Sequence, residues 1–324
     1  MLANRRPGAR GSAWDPLPSS ATAYNSGVST DVASPQWAFV NGQLLPFTQA
    51  QLPLEERGLQ FSESLYEVVG VFQGKPFRLA DHVYRMAKGA QELGLLEAVP
   101  TEATWAAYIK ELWRREPHDQ AILYAQLTGG VAAREHLPRT QQKPTFFAYL
   151  RHFVFPTPQD CAQGIAAVTV PETRWLRRDL KTTMLLPAVM AKRKAQQQRA
   201  AEAIFVGQDG YVNEGASSNV CVVRQKEVAS PPPSERLLEG VTLKVVKEIC
   251  QELGISFKRR WVSLSDLKGG DEVFITSTTT LVMPVCVLDG RTIGDGRPGP
   301  ISLRLTYHLQ KLFRGEDSKG EIYF

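Results

Sequence analysis

The stretch Glu172-Thr-Arg-Trp-Leu-Arg-Arg-Asp-Leu-Lys181-Thr-Thr-Met-Leu-Leu-Pro187 ends a polar run on a lysine just before an apolar one. A lone lysine in such a run is ordinarily a solvated surface group. What sets this one apart is the order of features that follow it. First comes Tyr211-Val-Asn-Glu214-Gly-Ala-Ser217-Ser218-Asn219, an acid followed by small and hydroxyl residues. Next, Leu238-Glu-Gly240-Val241-Thr242 opens a helix, where free backbone amides suit either a phosphate or a plain N-cap. Finally, Phe274-Ile-Thr-Ser277-Thr278-Thr279-Thr280 gathers hydroxyls at a strand end, as an anion cradle or an ordinary turn.

The pattern around these segments predicts an α+β chain in two parts. Upstream, Trp37 to Phe47 reads as a β-hairpin turning at Asn41-Gly42. Leu65 to Phe72 is β-rich, with a turn at Gly74-Lys75. Leu79 to Leu93 follows as an amphipathic helix presenting Leu79, Val83, Met86, Ala90 and Leu93 on one face. A second helix spans about Thr104 to Arg114, and strands run from Ala121 to Thr128 and from Thr145 to Arg151. Downstream, a strand from Gly164 to Val170 leads to a helix from Leu186 to Ala201. A hairpin turning at Asp209-Gly210 feeds a strand ending near Val223. A helix over Val241 to Leu253 and strands from Glu272 to Thr276 and on to Leu288 complete it. Strands and helices without a strict βαβ rhythm argue against a doubly wound sheet. The expected divisions are an N-terminal domain over 37–154, a Pro-rich linker at 155–160, and a C-terminal domain over 161–324. Residues 1–36, rich in Ser, Ala, Pro, Gly and Arg, are expected to be a disordered extension. An organellar leader is the lesser reading of that segment, because Asp15, Asp31, Pro16 and Pro18 interrupt it.

The chain has 324 residues, 43% hydrophobic and 22% charged, the balance of a globular enzyme. Its longest apolar run, Leu281 to Leu288, is strand-sized, so no membrane association is expected. A net charge of +5 raises nucleic-acid binding. The basic residues nevertheless fall in small scattered groups with no zinc spacing or aromatic RNA-binding signature, so no nucleic-acid partner is expected. Four dispersed cysteines without a CxxC suit a reducing compartment, hence a cytoplasmic location.

Taken together, Glu56-Arg-Gly-Leu-Gln-Phe61, Leu65-Tyr-Glu-Val-Val69, His82-Val-Tyr-Arg85, Trp175 to Lys181, Glu214 to Asn219 and Phe274 to Thr279 resemble the fold-type IV enzymes of pyridoxal 5′-phosphate (PLP). The likeness is nearest to the D-amino acid transaminases and extends from about Trp37 to Phe313. It implies a two-domain fold-type IV architecture, with small-molecule amino acid and 2-oxo acid substrates such as D-alanine and 2-oxoglutarate. It further implies that Lys181 carries PLP and moves the proton of the substrate Cα. Glu214 would face the pyridine nitrogen. Arg85, the amides of Val241 and Thr242, and the hydroxyls of Ser277 and Thr278 would hold the phosphate. Ser217 and Ser218 would lie near the ring, and Tyr66, Val68 and Tyr124 would line the substrate side. Arg134 and His136, two apart on an expected extended segment, resemble a carboxylate clamp that reaches across a homodimer interface.

Three positions depart from the family pattern. Ser62-Glu63-Ser64 stands for Gly-Asp-Gly, Gly129 for an Arg, and Leu243 for another Arg. The same scaffold also serves (R)-selective amine transaminases, branched-chain amino acid transaminases and aminodeoxychorismate lyases. A non-catalytic PLP carrier or basic binding protein is the reading from a different class; the joint presence of Lys181 and Glu214 speaks against it.

Overall fold

The computed structural model describes residues 34–137 and 142–316. The expected disorder of the N-terminal extension lies mostly outside the described residues. The first part of the chain builds β1 (Trp37–Val40), β2 (Gln43–Pro46), α1 (Arg57–Phe61), β3 (Ser64–Phe72), β4 (Lys75–Pro76), α2 (Leu79–Glu92), α3 (Glu102–Arg115), β5 (Gln120–Thr128) and β6 (Thr145–His152). These strands form one antiparallel sheet in the order β2-β1-β6-β5-β3-β4. The Asn41-Gly42 turn is left-handed at both residues (φ 48° and 82°), as a two-residue hairpin requires. The turn into β4 falls at Gln73-Gly74, one residue earlier than expected, because these two adopt positive φ.

Side chains alternate along β3 with period two. Leu65, Val69 and Val71 pack with Met86, Trp105, Ile109 and Leu112 of the covering helices. The opposite face carries Tyr66 and Val68, paired in register with Gln126 and Tyr124 of β5, and is only half-buried.

The segment expected as a linker is extended to Thr157, and its last residues enter α4 (Pro158–Gln163). Pro158 at the first helical position and a Thr157/Asp160 capping box start that helix. The second part then builds β7 (Ile165–Pro171), α5 (Leu186–Gln197), β8 (Glu202–Val206), β9 (Val212–Gly215), β10 (Asn219–Arg224), β11 (Glu227–Ser230), α6 (Val241–Glu252), β12 (Phe257–Arg259), α7 (Leu264–Lys268), β13 (Glu272–Ser277), β14 (Leu281–Leu288), β15 (Arg291–Thr292) and α8 (Pro300–Arg314). Its mixed sheet runs β12-β11-β10-β13-β14-β7-β8-β9, with β15 on β14. Both faces are covered, so β14 is an almost unbroken apolar run. One face packs on α6 and α8. The sheet curls until β9 lies beside β10, where Gly215 N–H donates to Ser218 O at 2.7 Å. Phe72 and Phe77 of the first part meet Phe313 of α8, with ring centroids 6.2 and 5.4 Å apart. Gly70 makes room for Phe313, since a Cβ there would lie 2.5 Å from its ring. The architecture is α+β, and its two sheets leave a cleft where β3 meets the segment before α5.

Candidate active site

Lys181 sits on that seam. The chain between β7 and α5 is pinned from both sides. Arg178 donates to the carbonyls of Arg236 (2.6 Å) and Trp175 (2.8 Å), and Lys181 O accepts from Tyr66 N–H at 3.0 Å. Thr182 bridges to Leu65, so the lysine segment extends the edge of β3 as a short added strand. The Lys181 Nζ lies 4.2 Å from the centroid of the Tyr66 ring, at the floor of a cavity of about 210 Å³.

Eleven of the fourteen expected site residues line this cavity: Lys181, Glu214, Arg85, Ser217, Ser218, Val241, Thr242, Ser277, Thr278, Tyr66 and Val68. They come from both sheets, which brings together residues more than two hundred positions apart. Tyr124 stands one strand away, its ring stacked 5.8 Å from that of Tyr66 and its hydroxyl donating to Gln126 at 2.8 Å. Burial pushes its phenol above the ordinary range. Arg134 and His136 do not reach the cavity of their own chain. They lie on an exposed bend after β5 rather than on the expected extended segment. Both meet the ring of Phe61, with the Arg134 guanidinium 5.3 Å and the His136 ring 5.6 Å from its centroid.

Among the cavity residues, Glu214 is buried and engaged on both oxygens. It pairs with Arg174 at 2.6 Å and accepts from Leu238 N–H at 2.9 Å and from Asn219 at 3.4 Å. Burial pushes its carboxyl up, against the pull of the Arg174 charge. Arg174 is tied in turn to Glu172 at 2.7 Å and stacks on Phe205. The start of α6 also lines the cavity, and its first amides have no partner within the helix. Gly240 is obligatory there, because a Cβ would fall 2.0 Å from the Asn219 side-chain oxygen. Thr276, which lines the same cavity, has a buried hydroxyl with no hydrogen-bond partner among the described residues. Ser277 bonds Thr280 at 2.8 Å and Thr279 at 3.3 Å, holding the hydroxyl turn in shape. Helix amides, an orphaned hydroxyl and a neighbouring guanidinium form an anion site of the kind a phosphate monoester fits.

Beneath Lys181 lies a buried triad. Arg85 grips Glu67 in a two-pronged bond (2.7 Å each), and His82 Nδ1 meets the same carboxylate at 2.8 Å. Burial alone would raise the Glu67 carboxyl. The charge and hydrogen bonds of Arg85, with help from His82, reverse this and bring it down to about 2. Burial lowers His82, with Arg85 and Lys181 acting in the same direction against Glu67. A neutral His82 therefore donates its Nδ1 proton to Glu67. Arg85 also donates to Glu239 O at 3.0 Å. Among the described residues, these three bonds leave one N–H on each terminal nitrogen of Arg85, which lines the cavity.

Sequence reasoning missed Glu67, Arg174, Asn219 and Thr276. Glu67 had a readable signal, for the period of β3 places it on the same face as Leu65 and Val69. A carboxylate on a core face requires a partner. The departures find structural reasons as well. Leu243 is fully buried in the core between α6 and the sheet. A Cβ on Gly129 would meet the Glu63 carboxyl at 2.7 Å.

The fold is α+β, with a lysine in a cavity at the junction of two sheets. Residues 64–288 match the family model described as amino-transferase class IV. The chain is 38% identical to the D-alanine aminotransferase of Bacillus licheniformis over 280 residues, 86% of this chain and 98% of the relative. It is 34% identical to the enzyme of that name from Staphylococcus haemolyticus, over 86% of this chain and 99% of the relative. Among solved structures, the branched-chain amino acid aminotransferase from Thermobaculum terrenum in its PLP form superposes with a TM-score of 0.79 at 21% identity, covering 87% of this chain and 95% of that one. The chain belongs to the class IV aminotransferases.

Proposed function

We propose that this enzyme is a PLP-dependent D-amino acid transaminase, passing the amino group of a D-alanine-like donor to a 2-oxo acid such as 2-oxoglutarate. The observation that carries the reading is one cavity lined together by Lys181, the buried acid Glu214, Arg85 and the start of α6. Such a set would suit the carbonyl, ring nitrogen and phosphate of PLP. When bound, PLP supplies an electron-accepting ring that makes the Cα–H of an amino acid acidic. Lys181 would hold the cofactor and, once freed, would take the proton from the substrate Cα on its amine. Glu214 would face the ring nitrogen, with Arg174 and Leu238 N–H fixing its direction. Arg85, Thr242, Ser277 and Thr278 would hold the phosphate. Ser217 and Ser218 also line the cavity and are held by Glu202, to which they donate at 3.2 and 2.8 Å.

The stereochemical reading adds that Arg134 and His136 take the substrate carboxylate in the cavity of a second copy, with Tyr66, Val68 and Tyr124 lining the remainder. Support comes from the exposed apolar residues beside that loop. Leu54, Leu59 and Leu137 are 83%, 69% and 84% exposed, an unusual density for a free surface. A homodimer with shared active sites follows. The four buried free cysteines suit a cytoplasmic enzyme.

A half-reaction panel tests the reading. The PLP form is mixed with D-alanine, D-glutamate, L-leucine and (R)-1-phenylethylamine, and the cofactor's visible absorbance is followed. D-Alanine should discharge it fastest; a preference for L-leucine overturns the D-specific assignment.

A further inference from the structure

Arg57 opens α1 with its side chain almost wholly buried, 4% exposed, although it is not among the cavity's lining residues. All three nitrogens of its guanidinium are engaged. Nη1 donates to Glu135 O at 2.7 Å, Nη2 donates to His136 O at 3.0 Å, and Nε donates to the Glu63 carboxylate. The guanidinium also lies 4.9 Å from the centroid of Phe61, the ring that Arg134 and His136 both touch. A planar fork holding two successive carbonyls sets both the position and the twist of that bend. At the start of the loop, Arg57 N–H donates to Gly130 O at 2.9 Å and Ala132 N–H to Glu55 O at 3.3 Å.

Two departures from the family pattern combine at this node. Glu63 is one methylene longer than the usual Asp, and Gly129 lacks the side chain that would collide with the Glu63 carboxyl at 2.7 Å. The longer acid lies in the space that Gly129 leaves, and there it pairs with Arg57. Gly129 N–H donates to Glu63 O at 2.9 Å, locking the two segments together.

We propose that Arg57, charge-paired with Glu63 over Gly129, is a positioning residue that presents Arg134 and His136 to the substrate carboxylate. The proposal rests on the reading of that pair as a carboxylate clamp. Loss of one arm of a charged fork to a buried carbonyl is worth on the order of tenfold.

The test uses the full-length holoenzyme and the variants Arg57→Lys, Gly129→Ala and Arg134→Ala. KM and kcat are measured for D-alanine, together with hydrogen exchange of the 131–137 peptide. Arg57→Lys should raise KM for D-alanine about tenfold with kcat changed less than threefold, and should speed exchange in the peptide. Gly129→Ala, which displaces Glu63 without touching Arg57, should move both readouts the same way by a smaller factor. If Arg57→Lys and Gly129→Ala leave KM and exchange unchanged while Arg134→Ala raises KM, the positioning role is wrong and the clamp stands. If Arg134→Ala leaves KM unchanged, the clamp falls and the proposal with it, and the exchange data then show only whether Arg57 holds the bend.

Discussion

Lys181, Glu214 and Arg85 line one cavity, and buried residues such as Glu67 and Asn219 hold the acid and the guanidinium in place. Arg134 and His136 stand on an exposed bend, where the Arg57 guanidinium holds the carbonyls of Glu135 and His136 and both side chains meet the Phe61 ring. The difference follows from what each region has to do. A floor that tunes protonation must be dry, because low dielectric strengthens each ion pair and penalises any left incomplete. A rim that selects among substrates can be built from solvated groups that become desolvated only on assembly. The floor should therefore tolerate almost no substitution, and the rim should respond in a graded, substrate-dependent way.

The largest effect is expected at the floor. Lys181→Ala should slow proton removal from the Cα of D-alanine by at least about a thousandfold, the upper range for loss of a general base. Stopped-flow absorbance of the substrate-mixed variant measures it. Borohydride treatment of the wild type should leave the phosphopyridoxyl label on the peptide containing Lys181. Label on a different lysine ends the assignment.

The buried triad under Lys181 gives the floor a pH signature. Glu67 titrates near 4.5 when unfolded and at about 2 in place. Its contribution is thus fully present above pH 4.5 and is lost as pH falls towards 2. Integrated over that window, it is worth roughly 3 kcal/mol. His82 is also lowered in place, from 6.5, so it too favours the fold at higher pH, and its share begins to fade below that value. Denaturant titrations at pH 7, 5.5, 4 and 3 should show stability falling in both intervals. In Glu67→Gln the fall between pH 4.5 and 3 should shrink. An unchanged slope there would show that the triad is not the source.

At the rim, Arg134→Ala should lower kcat/KM for D-alanine by about ten- to a hundredfold, the worth of a charged hydrogen bond in a desolvated site. An amine without a carboxylate should be largely spared. Equal losses on both donors would erase the distinction between floor and rim.

This contrast also explains how much could be read from the chain alone. The strands of the first sheet, the helices α2, α3 and α6, and eleven cavity residues were legible, because periodicity and motif order are local properties. The helix from Leu186 ends at Gln197, short of Ala201, and α8 was overlooked although Pro300 opens it and Leu305, Leu309 and Phe313 recur at four-residue spacing. Strand β12, three residues paired in parallel at a sheet edge, has too little alternation to declare itself. The ion pairs Glu67–Arg85 and Arg174–Glu214 join positions 18 and 40 apart, at distances set by how α2 crosses β3 and how the sheet curls. No local pattern encodes such a crossing. The bend carrying Arg134 and His136 has no periodicity at all, so only resemblance to a family could single it out.

The smallest effect is expected where floor and rim join, in the Ser62-Glu63-Ser64 segment. Ser64 is fully buried; its hydroxyl lies 2.6 Å from that of Thr183, two residues past Lys181, and accepts from Gln126 at 3.1 Å. Gln126 accepts in turn from Tyr124 at 2.8 Å, so one serine ties the lysine segment to the tyrosine that stacks on Tyr66. Ser62, by contrast, is the left-handed residue ending α1 (φ 55°), a conformation that glycine adopts more readily. Replacing each serine by the family's glycine should then give different results. Ser64→Gly leaves Gln126 and Thr183 short of a buried partner and should cost about 1–3 kcal/mol, with a severalfold loss of kcat. Ser62→Gly should leave stability within about 1 kcal/mol of wild type, the relief at φ offsetting the added freedom of the unfolded chain. Thermal melts and D-alanine kinetics of the two variants make the comparison. Equal melting temperatures and equal kcat would mean that the hydroxyl chain from Thr183 to Tyr124 carries nothing between the two regions.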